Sequence, residues 1–426
     1  MNCCTYGIRF CSPTLLFLLV ILAGCAATPN PVNPIPEGDF RERIQVQQEG
    51  DVRVSVGVPS AEETRKIFDR PLYKRGIQPV WLKIENLRQT PITFLPVALD
   101  PDYYTPLEVA NYGTADKTPA DALINEFFLE QSISMMLPPG EELSGFVFTK
   151  LDEGTKAFNV DIAGKGGFNS FTFFVPVPGL KIDHYSVDWD NLYPADSYVE
   201  FEQEQLIAEI EDYVCCVTDK TGENNGDPLN LVLIGHPEDI YTAFLRAGWD
   251  ETEVVSRASG WKTVKSFLSG GEYRYSPVSS LYVFGRPQDI AFQRIRDNIH
   301  ERNHLRLWMS RITYQDVPVW IGQISRDIGV RFTTKTITTH KIDPDVDETR
   351  EYLLENLAYA QSVKKFGYVG GVGKVPMDQP KGNLTGDPWF SDGYRLVIWV
   401  SSQPMSLEEV EILEWRNPHA NQENNR

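Results

Sequence analysis

His304-Leu-Arg-Leu-Trp-Met-Ser-Arg-Ile-Thr-Tyr314, then Gln315-Asp316, then Val317-Pro-Val-Trp-Ile-Gly-Gln-Ile-Ser-Arg-Asp327 reads as two strands joined by a two-residue turn. Side chains alternate across a strand, so His304, Arg306 and Trp308 share one face. A turn at Gln315 and Asp316 places His304 opposite Asp327 and Arg306 opposite Ser325. Hairpins need no crossover, so a sheet built around this one is largely antiparallel. The second half of the chain is therefore expected to be an α+β domain, with its helices stacked on one face of the sheet.

The neighbouring segments extend that reading. A third strand is expected over Val330 to His340, followed by a helix from Asp345 to about Val363. Phe366 to Val372 and Tyr394 to Val400 close the sheet. Ser406 to Trp415 reads as a last helix and Asn417 to Arg426 as a polar tail. Upstream, Val199 to Val214 is an amphipathic, acidic helix. Leu233-Ile-Gly-His-Pro-Glu-Asp-Ile240 is echoed by Val283-Phe-Gly-Arg-Pro-Gln-Asp-Ile290. Each copy reads as a strand, a turn at Gly, and a helix with Pro at its first position and Asp in its first turn.

Residues 41–180 have a different character. Arg43 to Gln48, Val52 to Val58, Pro79 to Glu85, Pro91 to Leu95, Leu143 to Thr149, Lys156 to Ile162 and Ser170 to Val175 alternate as strands. Ser60 and Glu63 form a capping box for a short helix, and Thr118 to Gln131 reads as an inserted helix. Closely spaced strands with Pro and Gly turns predict an all-β, immunoglobulin-like sandwich. Residues 181–199 link it to the α+β domain at 200–402, and 403–426 form the terminal helix and tail.

Ahead of the sandwich, Thr14 to Ala23 is apolar but for Thr14 and ends in Leu22-Ala-Gly-Cys25. At about 1.5 Å per residue the run is too short to span a bilayer core of about 30 Å, and it has the length of a signal-peptide core. The tetrapeptide resembles a bacterial lipobox, which implies cleavage after residue 24 and lipid on Cys25. Ala26 follows where an Asp would retain the protein in the inner membrane, so outer-membrane anchoring is expected, facing the periplasm or the cell surface. Residues 25–40 carry four prolines and read as a stiff tether.

The chain has 426 residues and a formal charge of −19. Such acidity disfavours nucleic acid and anionic headgroups as partners through a general field. The expected partners are the membrane, reached through lipid on Cys25, and an envelope protein or lipid ligand. No run of eighteen apolar residues follows Cys25. Cys3, Cys4 and Cys11 leave with the leader. Cys215 and Cys216 remain as neighbours, for which packing is expected ahead of a rare vicinal disulfide, a redox role or metal binding.

Asp227-Pro-Leu-Asn-Leu-Val-Leu-Ile-Gly235, Ala247-Gly-Trp249, Tyr275-Ser-Pro277, Gly285-Arg286, Arg302-Asn-His-Leu-Arg-Leu-Trp308, Val319-Trp-Ile-Gly322 with Asp327, and Thr339-His-Lys-Ile-Asp-Pro-Asp-Val-Asp-Glu-Thr-Arg350 resemble the LssY C-terminal domain family in order and spacing. The resemblance covers nearly half of the chain. It implies a bacterial envelope-associated domain, joined in some members to membrane phosphatase-like or DedA-like regions that this chain lacks. It carries no established activity.

Chemistry concentrates on the hairpin. A carboxylate facing a histidine fixes its tautomer and raises its pKa, so His304, Arg306, Asp327 and His340 are the candidate catalytic residues. His340, Asp343 and Asp345 are the candidate metal ligands. The structural alternative is specific too: Asp345 with Glu348 makes a capping box, and Asp347 with Arg350 is a helix-spaced pair. Asp343-x-Asp-x-Asp347 departs from an EF-hand at Glu348 and Leu354. Gly370 to Lys374 lacks the first glycine and the hydroxyl of a P-loop. No zincin or Gly-x-Ser-x-Gly motif occurs, and no cofactor is indicated. The expected function is ligand or partner binding at the envelope, with metal-assisted hydrolysis of envelope lipid or phosphate esters as the alternative.

Overall fold

The computed structural model describes residues 39–112, 119–179, 187–188, 191–252, 278–295, 302–331 and 339–415, with the backbone alone at 119–121, 195, 330–331 and 339–340. The leader, Cys25, most of the tether, Tyr275-Ser-Pro277 and the polar tail lie outside the described residues.

Eight strands build the N-terminal region: β1 (Gln45–Glu49), β2 (Val52–Gly57), β3 (Ile77–Asn86), β4 (Ile92–Leu95), β5 (Met136–Leu137), β6 (Glu142–Lys150), β7 (Thr155–Gly164) and β8 (Gly167–Pro176). They form two four-stranded sheets in the orders β1-β2-β3-β6 and β5-β4-β7-β8, antiparallel throughout. Alternation sends Val52, Val54, Val56, Val80, Leu82 and Ile84 from one sheet against Phe94, Val160, Ile162 and Phe173 from the other. Two inner faces around a single apolar layer make a β-sandwich. Helix α1 (Ala61–Phe68) starts at the expected Ser60–Glu63 capping box. After α2 (Pro106–Asn111) comes the inserted helix, α3 (Pro119–Glu130), whose Phe128 stacks on Phe68 and packs near Phe148.

The second region is assembled from β9 (Val199–Glu200), α4 (Gln203–Asp212), β10 (Cys216–Thr218), β11 (Asn225–Pro228), β12 (Leu231–Ile234), α5 (Pro237–Arg246), β13 (Asp250–Glu251), β14 (Tyr282–Val283), β15 (Arg286–Pro287), β16 (Ile290–Ile295), β17 (Arg302–Tyr314), β18 (Val317–Arg331), β19 (Thr339–Ile342), α6 (Val346–Tyr359), β20 (Val363–Val369), β21 (Lys381–Gly382), β22 (Pro388–Trp389), β23 (Arg395–Val400) and β24 (Glu411–Ile412). Among the described residues its main sheet runs β13-β16-β17-β18-β12-β23-β20-β24, with β9 and β19 at its margins. Most pairings are antiparallel, while β12–β23, β9–β17 and β20–β24 are parallel. The largely antiparallel α+β expectation holds.

Helices on one face only do not hold. Leu231 and Leu233 of β12 point into a cluster with Phe244 of α5 and with Leu353 and Leu357 of α6. Val232 and Ile234 point the other way, toward Leu206, Ile207 and Ile210 of α4. An unbroken apolar strand such as Leu-Val-Leu-Ile is what a sheet covered on both sides requires. On the α4 side lies a small second sheet, β11-β10-β14-β15. Among the described residues no helix is long and apolar enough to cross a membrane.

Four local expectations are corrected. The Leu233–Ile240 unit is a strand leading into α5, but its echo is a β14–β15 hairpin that turns at Phe284 and Gly285 (φ 54° and 73°) and continues into β16. There the Asp289 carboxylate takes Arg286 and the Met309 N–H, so it serves strands and not a helix dipole. Val330 to His340 is not one strand: β18 continues to Arg331, and β19 begins at Thr339. Ser406 to Trp415 forms only a 3-10 turn at Leu407–Glu409 and then β24, docked beside β20. Cys215 and Cys216 are joined by a disulfide.

The two regions meet along α5. Phe174 packs edge-on against Tyr241, and the Thr155 N–H and hydroxyl both donate to the Glu251 carboxylate. Burial pushes Glu251 up to about 8. Its folded value lies above the unfolded one, so the stability tied to this group is complete below about pH 4.5 and is lost as pH rises through 8, when a charge must be held in the buried site. Glu251→Gln keeps a neutral side chain able to bond Thr155. Urea unfolding at pH 6 and pH 9 should show a smaller loss of stability across that interval in the variant than in the wild type.

Candidate functional site

The hairpin turn forms as read: Tyr314 pairs with Val317 across Gln315 and Asp316, both at positive φ (53° and 61°). The pairing beyond it does not. Between the Thr313–Pro318 and Met309–Trp320 pairs, β17 holds Ser310, Arg311 and Ile312 where β18 holds only Val319. Ser310 stabilises this bulge, its hydroxyl donating to Val319 O (2.7 Å) and accepting the Ile312 N–H (3.1 Å). The excess of two residues slides the register, so His304 lies opposite Ser325 and Arg306 opposite Gln323. An even slip leaves every side chain on its original face. His304 therefore still reaches Asp327 diagonally, with Nε2 at 2.5 Å from Oδ2.

A buried polar layer grows around that contact. Arg302 lies 3.5 Å from Asp327 through Nε and donates to Gln293 Oε1 at 2.6 Å through Nη1. Arg306 donates to Gln323 Oε1 at 2.9 Å and to Ser279 O at 3.1 Å. Beyond it, Asp227 of β11 accepts from Asn383, which also organises the backbone before Asp387. Arg302, His304, Arg306, Gln323, Asp327 and Asp387 are all buried. Arg302, Gln293, Gln323, Asp227 and Asp387 were not among the candidate site residues, although Asp227 and Arg302 stand in the family-like stretches. For Arg302 a signal existed, because it continues the alternation of His304 and Arg306.

Burial dominates the electrostatics. It pushes His304 down to about 4, against the opposing pull of Asp327, and raises the Asp227 carboxyl. The expectation that a facing carboxylate raises the histidine is thus reversed. A neutral imidazole gives its Nε2–H to Asp327, which places the ring lone pair on Nδ1. The folded value lies below the unfolded one. Stability is therefore complete above about pH 6.5 and falls as pH drops toward 4, by roughly 3 kcal/mol for this group. His304→Gln should remove that slope from urea midpoints measured between pH 7 and pH 4.5, and an unchanged slope would refute the assignment.

The other candidates are placed apart from this layer. Asp343 Oδ1 accepts from the Asp345 N–H, and Asp345 Oδ1 caps α6 by accepting from Asp347 and Glu348. Both carboxylates thus shape the entry into the helix, although the reciprocal half of the expected capping box is not formed. Asp347 and Arg350 pair at 3.2 Å, and Asp392 grips the same guanidinium. His340 sits in β19 opposite Val330, and its side chain lies outside the description. Among the described residues no three His, Cys, Asp or Glu side chains converge on a metal position.

The family comparison covers this layer. Residues 207–394 match the model of the LssY C-terminus family. This stretch is an LssY C-terminus domain. No curated protein matches the chain. The LssY C-terminus match begins inside α4 and stops just before β23, so His304, Asp327, Arg302 and Arg306 all lie within it.

Proposed function

We propose that the chain is a lipid-anchored envelope protein whose LssY C-terminus domain binds a ligand or partner without transforming it, presented by an immunoglobulin-like sandwich. The observation that carries the non-catalytic reading is the burial of the polar layer. Arg302 and His304 engage Asp327, Arg306 engages Gln323 and a backbone carbonyl, and all of them are buried. A general acid or base must reach its substrate proton within hydrogen-bonding distance, and these groups face protein. The lipobox at Leu22–Cys25 supports anchoring at the outer membrane.

The alternative, a metal-assisted hydrolase of envelope lipid or phosphate esters, is favoured by one feature: the carboxylate–imidazole pair has the polarity of a base held by its orienting acid. Incubating the mature chain with divalent metals and a phosphoester panel separates the two readings. No bound metal and no turnover supports binding, whereas stoichiometric metal and turnover lost in His304→Ala would establish the hydrolase. Anchoring has its own test. Cys25→Ala should move the protein from the membrane fraction to the soluble fraction of a bacterial host, and unchanged partitioning would remove the lipid from the account.

A further inference from the structure

The LssY C-terminus domain and the sandwich enclose a groove of about 390 Å³. Its polar walls come from both sides: Asp100, Lys150, Asp152, Lys156, Asn159 and Thr172 from the sandwich, Thr242 and Arg246 from α5. Lys150 is paired with Asp102 and Lys156 with Asp152. Among the described residues Arg246 makes no salt bridge, and Asp161 acts on it only through the longer-range field. Its Nη2 donates to Ser402 O (2.5 Å) and makes long contacts to Thr172 Oγ1 (3.3 Å) and Asn159 Oδ1 (3.4 Å), all neutral acceptors. Its Nη1 is buried and bonded to nothing.

Arg395 shows what a self-sufficient arginine looks like here. It too lacks a carboxylate, but backbone carbonyls take its Nε and both Nη groups. Arg246 keeps donor capacity and a charge with no directly bonded counterion at the wall of a cavity, and both are unfavourable until an anion supplies the missing acceptor. A guanidinium fork matches an oxyanion in geometry as well as charge. Giving up the long contacts to Asn159 and Thr172 frees a second N–H for a two-pronged grip. The volume suits a small molecule, and domain junctions are common places for such sites.

We infer that this groove binds a small phosphate-bearing ligand, with Arg246 as the anchor. The inference rests on the binding reading above and names its site and ligand chemistry. The phosphate could belong to a free anion or to a lipid headgroup, so the mature chain is titrated calorimetrically with inorganic phosphate and, separately, with glycerol 3-phosphate at fixed ionic strength. One-to-one binding of at least one probe is expected, weakened at least tenfold by Arg246→Gln and severalfold by Lys150→Gln. Preference for glycerol 3-phosphate assigns the headgroup, and equal affinity assigns the free anion. No heat with either probe, or affinity unchanged in Arg246→Gln, overturns the site. Should Arg246→Gln fail to fold, Arg246→Lys keeps the charge but not the fork and must still weaken binding severalfold. A different ligand that binds Arg246→Gln normally would leave the binding reading standing and remove this groove from it.

Discussion

Arg395→Met should lower the unfolding free energy by on the order of 4 kcal/mol or more. Arg395 is fully buried at the start of β23. Its Nε donates to Leu229 O at 2.9 Å, Nη1 donates to Ile210 O, and Nη2 reaches Val214 O, Tyr213 O and Gly371 O at 2.7, 3.0 and 3.2 Å. Ile210 lies in the last turn of α4 and Tyr213 caps it. Carbonyls at a helix C-terminus have no partner within the helix, and the negative end of the dipole favours a cation there. One side chain thus ties α4, the approach to β12 and the glycine turn after β20 to the sheet. Burial pushes its pKa down to about 10, which still leaves it charged at neutral pH. Methionine fills similar space and supplies no donor, so several buried carbonyls lose a partner together. Urea unfolding followed by tryptophan fluorescence reads the change. Arg395→Lys should recover only a minor part, because three donors on a flexible stem cannot reproduce a planar fork. A loss below about 1 kcal/mol for the methionine variant would show that the clamp contributes little.

Asp327→Asn should cost about 3–5 kcal/mol, the usual penalty for leaving a buried charge without its counterion. Asp327 is buried between His304 and Arg302. The neutral amide removes the charge that Arg302 faces and replaces one acceptor oxygen with a donor nitrogen. Arg302→Met in the same background should restore part of the stability, since it withdraws the stranded cation, and a double-mutant cycle isolates that coupling. Strict additivity of the two substitutions would mean that the pair is not coupled. The variant also bears on function. On the binding reading, Asp327→Asn lowers stability while ligand affinity per folded molecule stays within a few fold. On the hydrolase reading, turnover collapses even at temperatures where the variant is fully folded.

Much of the local structure was legible in the residues. Ser60 with Glu63 announced α1, and Pro237 after Gly235 announced α5, because caps and first-turn prolines act through contacts only a few residues long. The echo at Val283–Ile290 carried the same letters and became a hairpin. Its Asp289 finds Arg286 and the backbone of β17, contacts that no short window contains. The terminal segment failed as a helix for a related reason: pairing of β24 with β20 outweighs a short amphipathic pattern.

The candidate site divides along the same line. Period-two alternation placed His304, Arg306 and Asp327 on one face, and that survived because the bulge at Ser310–Ile312 adds an even number of residues. Depth was not legible. Polar side chains on a strand read equally well as a solvated surface or as a buried layer. It is burial, set by the tertiary fold and not by the strand itself, that takes them out of water and drives the His304 pKa down instead of up.

By itself the chain determined its strand faces and its helix starts, since each depends on residue type and near-neighbour spacing. The tertiary structure alone decided the hairpin register, the covering of the sheet on both sides, the saturation of Arg395 and the unbonded Nη1 of Arg246 beside its groove. Those properties are set by which distant segments meet, and a sequence pattern fixes the face a residue points from without fixing what stands opposite.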